Sequence, residues 1–158
     1  MLLKQVELFR KNLLEANRRI RILSRTERYA KKYDCLLSIS GIGINTGMCL
    51  LTEIDDITRF RNEKQFASYL GLIPTSHSSG DKKSNGEKTF RGNKQLGPMI
   101  VECAWITIQY DSVMAAAYGE YRKRMESPGS HLRIARKLAN RILTVLKTRK
   151  RYEYDRCR

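Results

Sequence analysis

Two serines, Ser78 and Ser79, stand side by side in GLIPTSHSSGDKKSNGEKTFRGNKQLG, residues 71–97, with Gly80 behind them and a run of lysines after. A serine hydroxyl attacks phosphorus only once a base or a metal takes its proton. The charge that then develops on the phosphoryl oxygens needs cations or N–H donors beside it. Lys82, Lys83, Lys88 and Arg91 supply cations within the same stretch, and Gly80 and Gly86 let backbone approach closely. The same residues also make an ordinary solvated loop. Taken alone, the stretch leaves both readings open.

The surrounding chain has 158 residues, enough for one domain with a real core. Its 31 Lys+Arg against 16 Asp+Glu leave a net charge of +15. Such an excess repels itself in a compact state and points to a polyanionic partner, most often nucleic acid. The charge is uneven: net +6 over residues 1–34, −1 over 35–80, +3 over 81–98, −3 over 99–120 and +10 over 121–158. The near-neutral segments should form the core, and both ends plus the loop should face a phosphate backbone. No run of 18 apolar residues, signal peptide or lipidation motif is present, so a soluble, cytoplasmic protein with no membrane partner is expected. Cys35, Cys49, Cys103 and Cys157 form no C-x-x-C pair, and with only His77 and His131 a zinc site has little support. They read as small buried thiols, except Cys157 near the chain end.

The elements that must carry these groups read as helices. Leu2, Val6, Phe9, Leu13, Ala16, Ile20 and Leu23 follow at alternating spacings of four and three, the seam of a coiled coil. Residues 1–34 are therefore expected to be a helical arm for oligomerisation. In LLSISGIGINTGMCLLTEI, residues 36–54, an apolar helix end runs into Gly41-Ile42-Gly43 and a second helix resumes near Asn45. That pattern fits a helix-hairpin-helix, whose backbone N–H groups would face a DNA phosphate, and it fits equally a plain corner between helices. Another helix is expected from about Asn62, with Phe66, Tyr69 and Leu70 inward and Gly71 at its end. Pro98 should open one helix running to Tyr121, with Val101, Trp105 and Ile108 buried. SPGS at 127–130 reads as a break. The last helix, from about His131, places Ala135, Leu138, Ile142 and Val145 inward and Arg133, Arg136, Lys137, Arg141 and Lys147 elsewhere. No stretch alternates as a strand. The expected fold is mostly α: a long coiled-coil-like helix, a compact helical domain over 35–150 with a helix-hairpin-helix-like element, and a basic tail at 151–158.

The order of several motifs resembles a known family. S-I-x-G-I-G, I-x-D-I-x-R-F, K-Q-F-A-S-Y-L-G-L-I-P, an S-G shortly after that proline, and R-G-N before a helix are shared with the C-terminal domain of the bridge-RNA-guided insertion-sequence transposases, relatives of the Piv-type DNA invertases. A-R-K-L-A-N-R-I-L-T-V-L-K is similar to the family's last helix, and the likeness spans roughly residues 35–150. It departs at Phe90 and at Leu96-Gly97-Pro98, where the family usually has a lysine and a leucine-arginine pair.

The resemblance implies that Ser79 is a nucleophile forming a transient phosphoserine link with DNA. It implies DNA as partner, a guide RNA as a further one, and a homo-oligomer through the N-terminal helix. No metal site is expected here; a divalent metal such as Mg would sit in an acidic RuvC-like nuclease domain that this sequence lacks, so the chain would be an enzyme only as part of a longer protein. The expected DNA contacts are Gly41, Gly43, Lys82, Lys83, Lys88, Arg91, Asn93, Lys94, Arg133, Arg136, Lys137 and Arg141. Glu53, Asp55 and Asp56 read as residues of a structural turn. A non-catalytic DNA-binding and dimerisation module is the second reading. A weaker third is an RNA or protein adaptor using the basic C-terminus, with Tyr152 and Tyr154 stacking on bases.

Overall fold

The computed structural model describes residues 1–73 and 92–153. Among them are seven α-helices, one 3-10 turn and no strand, so the fold is mostly α as expected. The helices are α1 (Leu2–Ser24), α2 (Ala30–Leu37), α3 (Ile44–Ile54), α4 (Glu63–Tyr69), α5 (Leu96–Tyr110), α6 (Ser112–Arg122) and α7 (Ser127–Thr148), and the 3-10 turn is Ile57–Arg59.

Helix α7 is the centre of the core. Ile134, Ala135, Leu138, Ala139 and Ile142 are fully buried on its inner face, with Val145 nearly so. The four residues predicted inward are all buried, and Ile134, Ala139, Leu143 and Leu146 join them. α5, α4, α6 and α2 all pack against it. Its start differs from expectation. SPGS does not break the chain but forms the first turn of α7, with Pro128 among the first residues, where no N–H is needed for the helix ladder.

The expected single helix after Pro98 is two. Asp111 takes an extended conformation between α5 and α6, and its carboxylate accepts the Met114 N–H at 3.0 Å, capping α6. The buried face of α5 is also not the predicted one. Leu96, Ile100, Cys103, Ala104 and Thr107 point inward, Val101 and Ile108 are half-buried, and Trp105 is 43% exposed rather than core. Cys103, Ala104 and Thr107 are small or compact, which lets α5 come close to its neighbours.

Among the described residues, helix α1 meets the rest near its C-terminal end. It packs on α3, where Asn45 Nδ2 donates to Asn17 Oδ1 at 3.2 Å; Ile20 is half-buried and Ser24 buried. Leu2, Val6, Phe9, Leu13 and Leu23 of the seam are exposed, Phe9 at 70%. Twenty-three residues at 1.5 Å each make a rod of about 35 Å.

Candidate nucleic-acid interface

Ser79, Lys82, Lys83, Lys88 and Arg91 lie outside the described residues. The two stems that lead to them lie within. Asn62 caps α4 by accepting the Gln65 N–H at 3.0 Å, and α4 ends where Gly71 turns the chain at φ 69°. Leu72 is then buried. The returning stem presses on this one. A Cβ added at Gly92 would stand 2.3 Å from the Gly71 Cα, and one at Gly97 would stand 2.4 Å from the Leu70 carbonyl oxygen. Only glycine permits either approach.

Asn93 fastens the two stems. Its N–H donates to the Tyr69 carbonyl at 2.7 Å, and its Oδ1 accepts the N–H groups of Gln95 and Leu96 at 2.9 and 2.8 Å, capping α5. Its Nδ2 donates to Glu53 Oε2 and to the Tyr69 hydroxyl, both at 3.2 Å. The side chain expected to contact DNA is therefore spent inside the fold. Loss of a cap and of further hydrogen bonds should make Asn93→Ala cost about 2 kcal/mol. A lowered urea midpoint at unchanged m-value checks it. Lys94 beside it is exposed.

The other expected site is the turn between α2 and α3. Gly41 has φ 88° and lies against α5, where a Cβ would meet the Cys103 carbonyl oxygen and Thr107 Oγ1, each at 2.5 Å. Gly43 is different: exposed, extended, the residue before α3, and with nothing within 4 Å of an added Cβ. One glycine is demanded by packing and the other faces open space. Both sites lean on α5, at Gly97 and at Thr107, ten residues and so about 15 Å apart along its axis.

The cations of α7 divide sharply. Arg141 Nη1 donates to Asp111 Oδ2, and its guanidinium lies 4.4 Å from the Tyr152 ring centroid. Lys147 Nζ donates to the Arg61 carbonyl at 3.3 Å. Arg136 Nε donates to the Leu72 carbonyl. Lys137 and Arg133 are exposed, the latter 5.3 Å from the Tyr121 ring centroid. The helix is thus a core element that leaves two of its predicted contacts, Arg133 and Lys137, open to solvent.

No group of three or more His, Cys, Asp or Glu side chains among the described residues can hold a metal. Glu53 takes the Asn93 amide, Asp55 pairs with Arg28 at 3.4 Å, and Asp56 caps the 3-10 turn. Hydrogen bonds from the Thr58 hydroxyl and N–H hold the Asp56 carboxyl below the usual carboxylate range. Engaged in this way, these acids form no metal-holding group among the described residues. Cys35 and Cys103 are buried and Cys49 half-buried, all free. Burial pushes the Cys103 and Cys49 thiols up, so both stay protonated at neutral pH and serve as packing groups.

One cluster has no counterpart in the sequence reading. The Trp105 ring stacks on His131 with centroids 3.8 Å apart, and the His131 Nε2–H donates to the Val101 carbonyl at 2.9 Å. Trp105 is expected inward on its own helix and His131 opens the inward series of α7, but their contact joins two helices, which spacing along the chain does not reveal.

Comparison with known proteins supplies the class of this helical scaffold. The chain belongs to the IS116/IS110/IS902 transposase family, whose domain model matches residues 33–119, more than half of the chain. It is similar to an insertion element IS110 protein of Streptomyces coelicolor, 31% identical over 111 residues, 70% of this chain and 27% of that one. The transposase for insertion sequence element IS1328 of Yersinia enterocolitica is 34% identical over 47% of this chain and 22% of its own length. A pilin gene-inverting protein of Moraxella bovis is 34% identical over 60% of this chain and 29% of its own. The chain thus spans under a third of the curated relatives it matches. Among the described residues no helix is long and apolar enough to cross a membrane.

Proposed function

We infer that this chain is the DNA-binding, strand-transfer part of an insertion-sequence transposase or recombinase, with Ser79 as nucleophile. The Ser79 Oγ–P bond would form as the bond from phosphorus to a deoxyribose oxygen breaks, the serine proton passing to a base and a proton reaching the departing oxygen. The observation that carries the reading is the clamped stem: Gly92 on Gly71, Gly97 on Leu70 and Asn93 on Tyr69 fix both entrances to the serine segment. Relatives named as transposases and as a gene-inverting protein place recombination within reach of the same domain. The divalent metal, the acidic domain that would hold it and a guide RNA belong to this proposal as partners from outside the described residues. The test is a covalent protein–DNA adduct in the full-length transposase. Wild type should form it and Ser79→Ala should not; an adduct in the variant would remove Ser79 from the chemistry.

Assembly is part of the same proposal. The exposed seam of α1 fits a sister helix, as a homo-oligomer requires. Phe9→Glu with Leu13→Glu should lower the mass seen by sedimentation equilibrium, and an unchanged mass would rule the seam out.

A second reading, a purely DNA-binding module, is favoured by the open face at Gly43. Aspartate is a good N-cap, so Gly43→Asp should hold or raise stability while its charge repels a phosphate at the turn. DNA affinity should fall at least tenfold with the urea midpoint preserved. Equal affinity would mean that the turn is a corner and no more.

A further inference from the structure

Helix α7 draws two guanidinium groups partly out of water, and it treats them differently. Arg141 has a counterion, Asp111, and an aromatic ring against it. Arg136 has neither. Its Nε donates to the backbone carbonyl of Leu72, and its Nη2 is buried with no hydrogen-bond partner among the described residues. No ion pair among the described residues includes it. Burial, with the charge of Arg133 added, holds its pKa below the ordinary arginine range. A cation set in this way lacks an anion among the described residues, and a guanidinium answers a planar or tetrahedral oxyanion best.

Its position says which anion. Leu72 belongs to the stem that Gly92, Asn93 and Gly97 clamp, so Arg136 stands at the base of the proposed strand-transfer loop, with Arg133 close enough to act on its charge. The residue as a whole is half-buried while Nη2 itself is buried, so seating an anion there requires the guanidinium edge to turn outward about its Nε anchor.

We propose that Arg136 seats one backbone phosphate of DNA at the stem formed by residues 69–73 and 92–97, its Nη2–H donating to a non-bridging oxygen while Nε keeps the Leu72 carbonyl. This rests on the reading that DNA is the partner, and it assigns Arg136 as a positioning residue that sets the register of the strand. Lysine cannot serve both acceptors with the same geometry, so Arg136→Lys should behave as a loss.

The test follows the arginine side-chain N–H signals of the ¹⁵N-labelled chain during titration with inorganic phosphate at constant ionic strength. The Nε–H signal absent from Arg136→Lys is that of Arg136. It should shift saturably, and Lys137→Gln should leave that shift within twofold. In parallel, duplex affinity is measured against salt: Arg136→Gln should weaken binding at least tenfold and lower the log–log slope by about 0.9, one phosphate's share. A signal indifferent to phosphate overturns the proposal, and it does so in the wild-type chain even where a variant fails to fold. Saturable phosphate binding at Arg136 with no affinity for DNA sinks the DNA reading and leaves the phosphate seat standing. Normal DNA binding without a phosphate response does the reverse.

Discussion

Gly41→Ala is expected to cost on the order of 3 kcal/mol, the sum of a positive φ forced on an L-residue and an overpacked contact. The new methyl would meet the Cys103 carbonyl oxygen and Thr107 Oγ1, both at 2.5 Å. Neither obstacle can retreat. The carbonyl belongs to α5, and the Thr107 hydroxyl is fixed at 2.8 Å from both the Cys103 and Ser40 carbonyls. The turn would have to lift from α5, and with it the start of α3. A urea series should show the loss as a lowered midpoint. An alanine variant as stable as wild type would mean that the turn does not sit on α5 at all. Because Gly41 and Gly43 differ so much in surroundings, equal effects of substitution at the two would contradict the packing described.

Much of this arrangement is legible in the sequence, and the exceptions share a cause. The inward residues of α7 follow from periodicity because its polar and apolar sides differ strongly. Helix α5 is apolar around most of its circumference, so periodicity cannot choose a face. Packing chose the side with Cys103, Ala104 and Thr107 because the Gly41 turn needs a close approach, and it left Trp105 outside, against His131. The break at Asp111 is available as an N-cap signal, yet largely apolar flanks on both sides hide it. The Ser-Pro-Gly-Ser stretch misleads in the opposite way: proline stops a helix it enters late and starts one it enters early. At the candidate site, Gly41, Gly43 and Asn93 are conspicuous as residue types. What they do depends on neighbours distant in sequence, Thr107 for one and Tyr69 for another, which spacing along the chain does not reveal. The same holds for the cations: a helical wheel cannot tell that Arg141 meets Asp111.

That meeting carries the second large effect. Asp111→Ala should destabilise the chain by about 3–5 kcal/mol, the usual consequence of stranding one member of a buried ion pair. The Asp111 side chain is 1% exposed and that of Arg141 12%, so bulk water cannot replace the lost partner. The substitution also uncaps α6, since the other carboxylate oxygen accepts the Met114 N–H. Beyond Arg141 lies Tyr152, whose N–H donates to Ser38 Oγ at 2.7 Å, so the pair joins the α5–α6 junction to the end of α2 and the chain after α7. Arg141→Met alone should also destabilise, because it leaves the carboxylate buried and unpaired. The double variant Asp111→Asn with Arg141→Met should recover part of the loss, as removal of both charges ends the desolvation penalty. Moderate salt should change none of these values much, in contrast to an exposed pair. A single-variant cost below about 1 kcal/mol would place the pair in solvent instead. Under the proposed function, the same variants test which cations would serve DNA. If Arg141 is spent on Asp111, the folded double variant keeps the salt slope of wild type, whereas a loss at Arg133 or Lys137 lowers it.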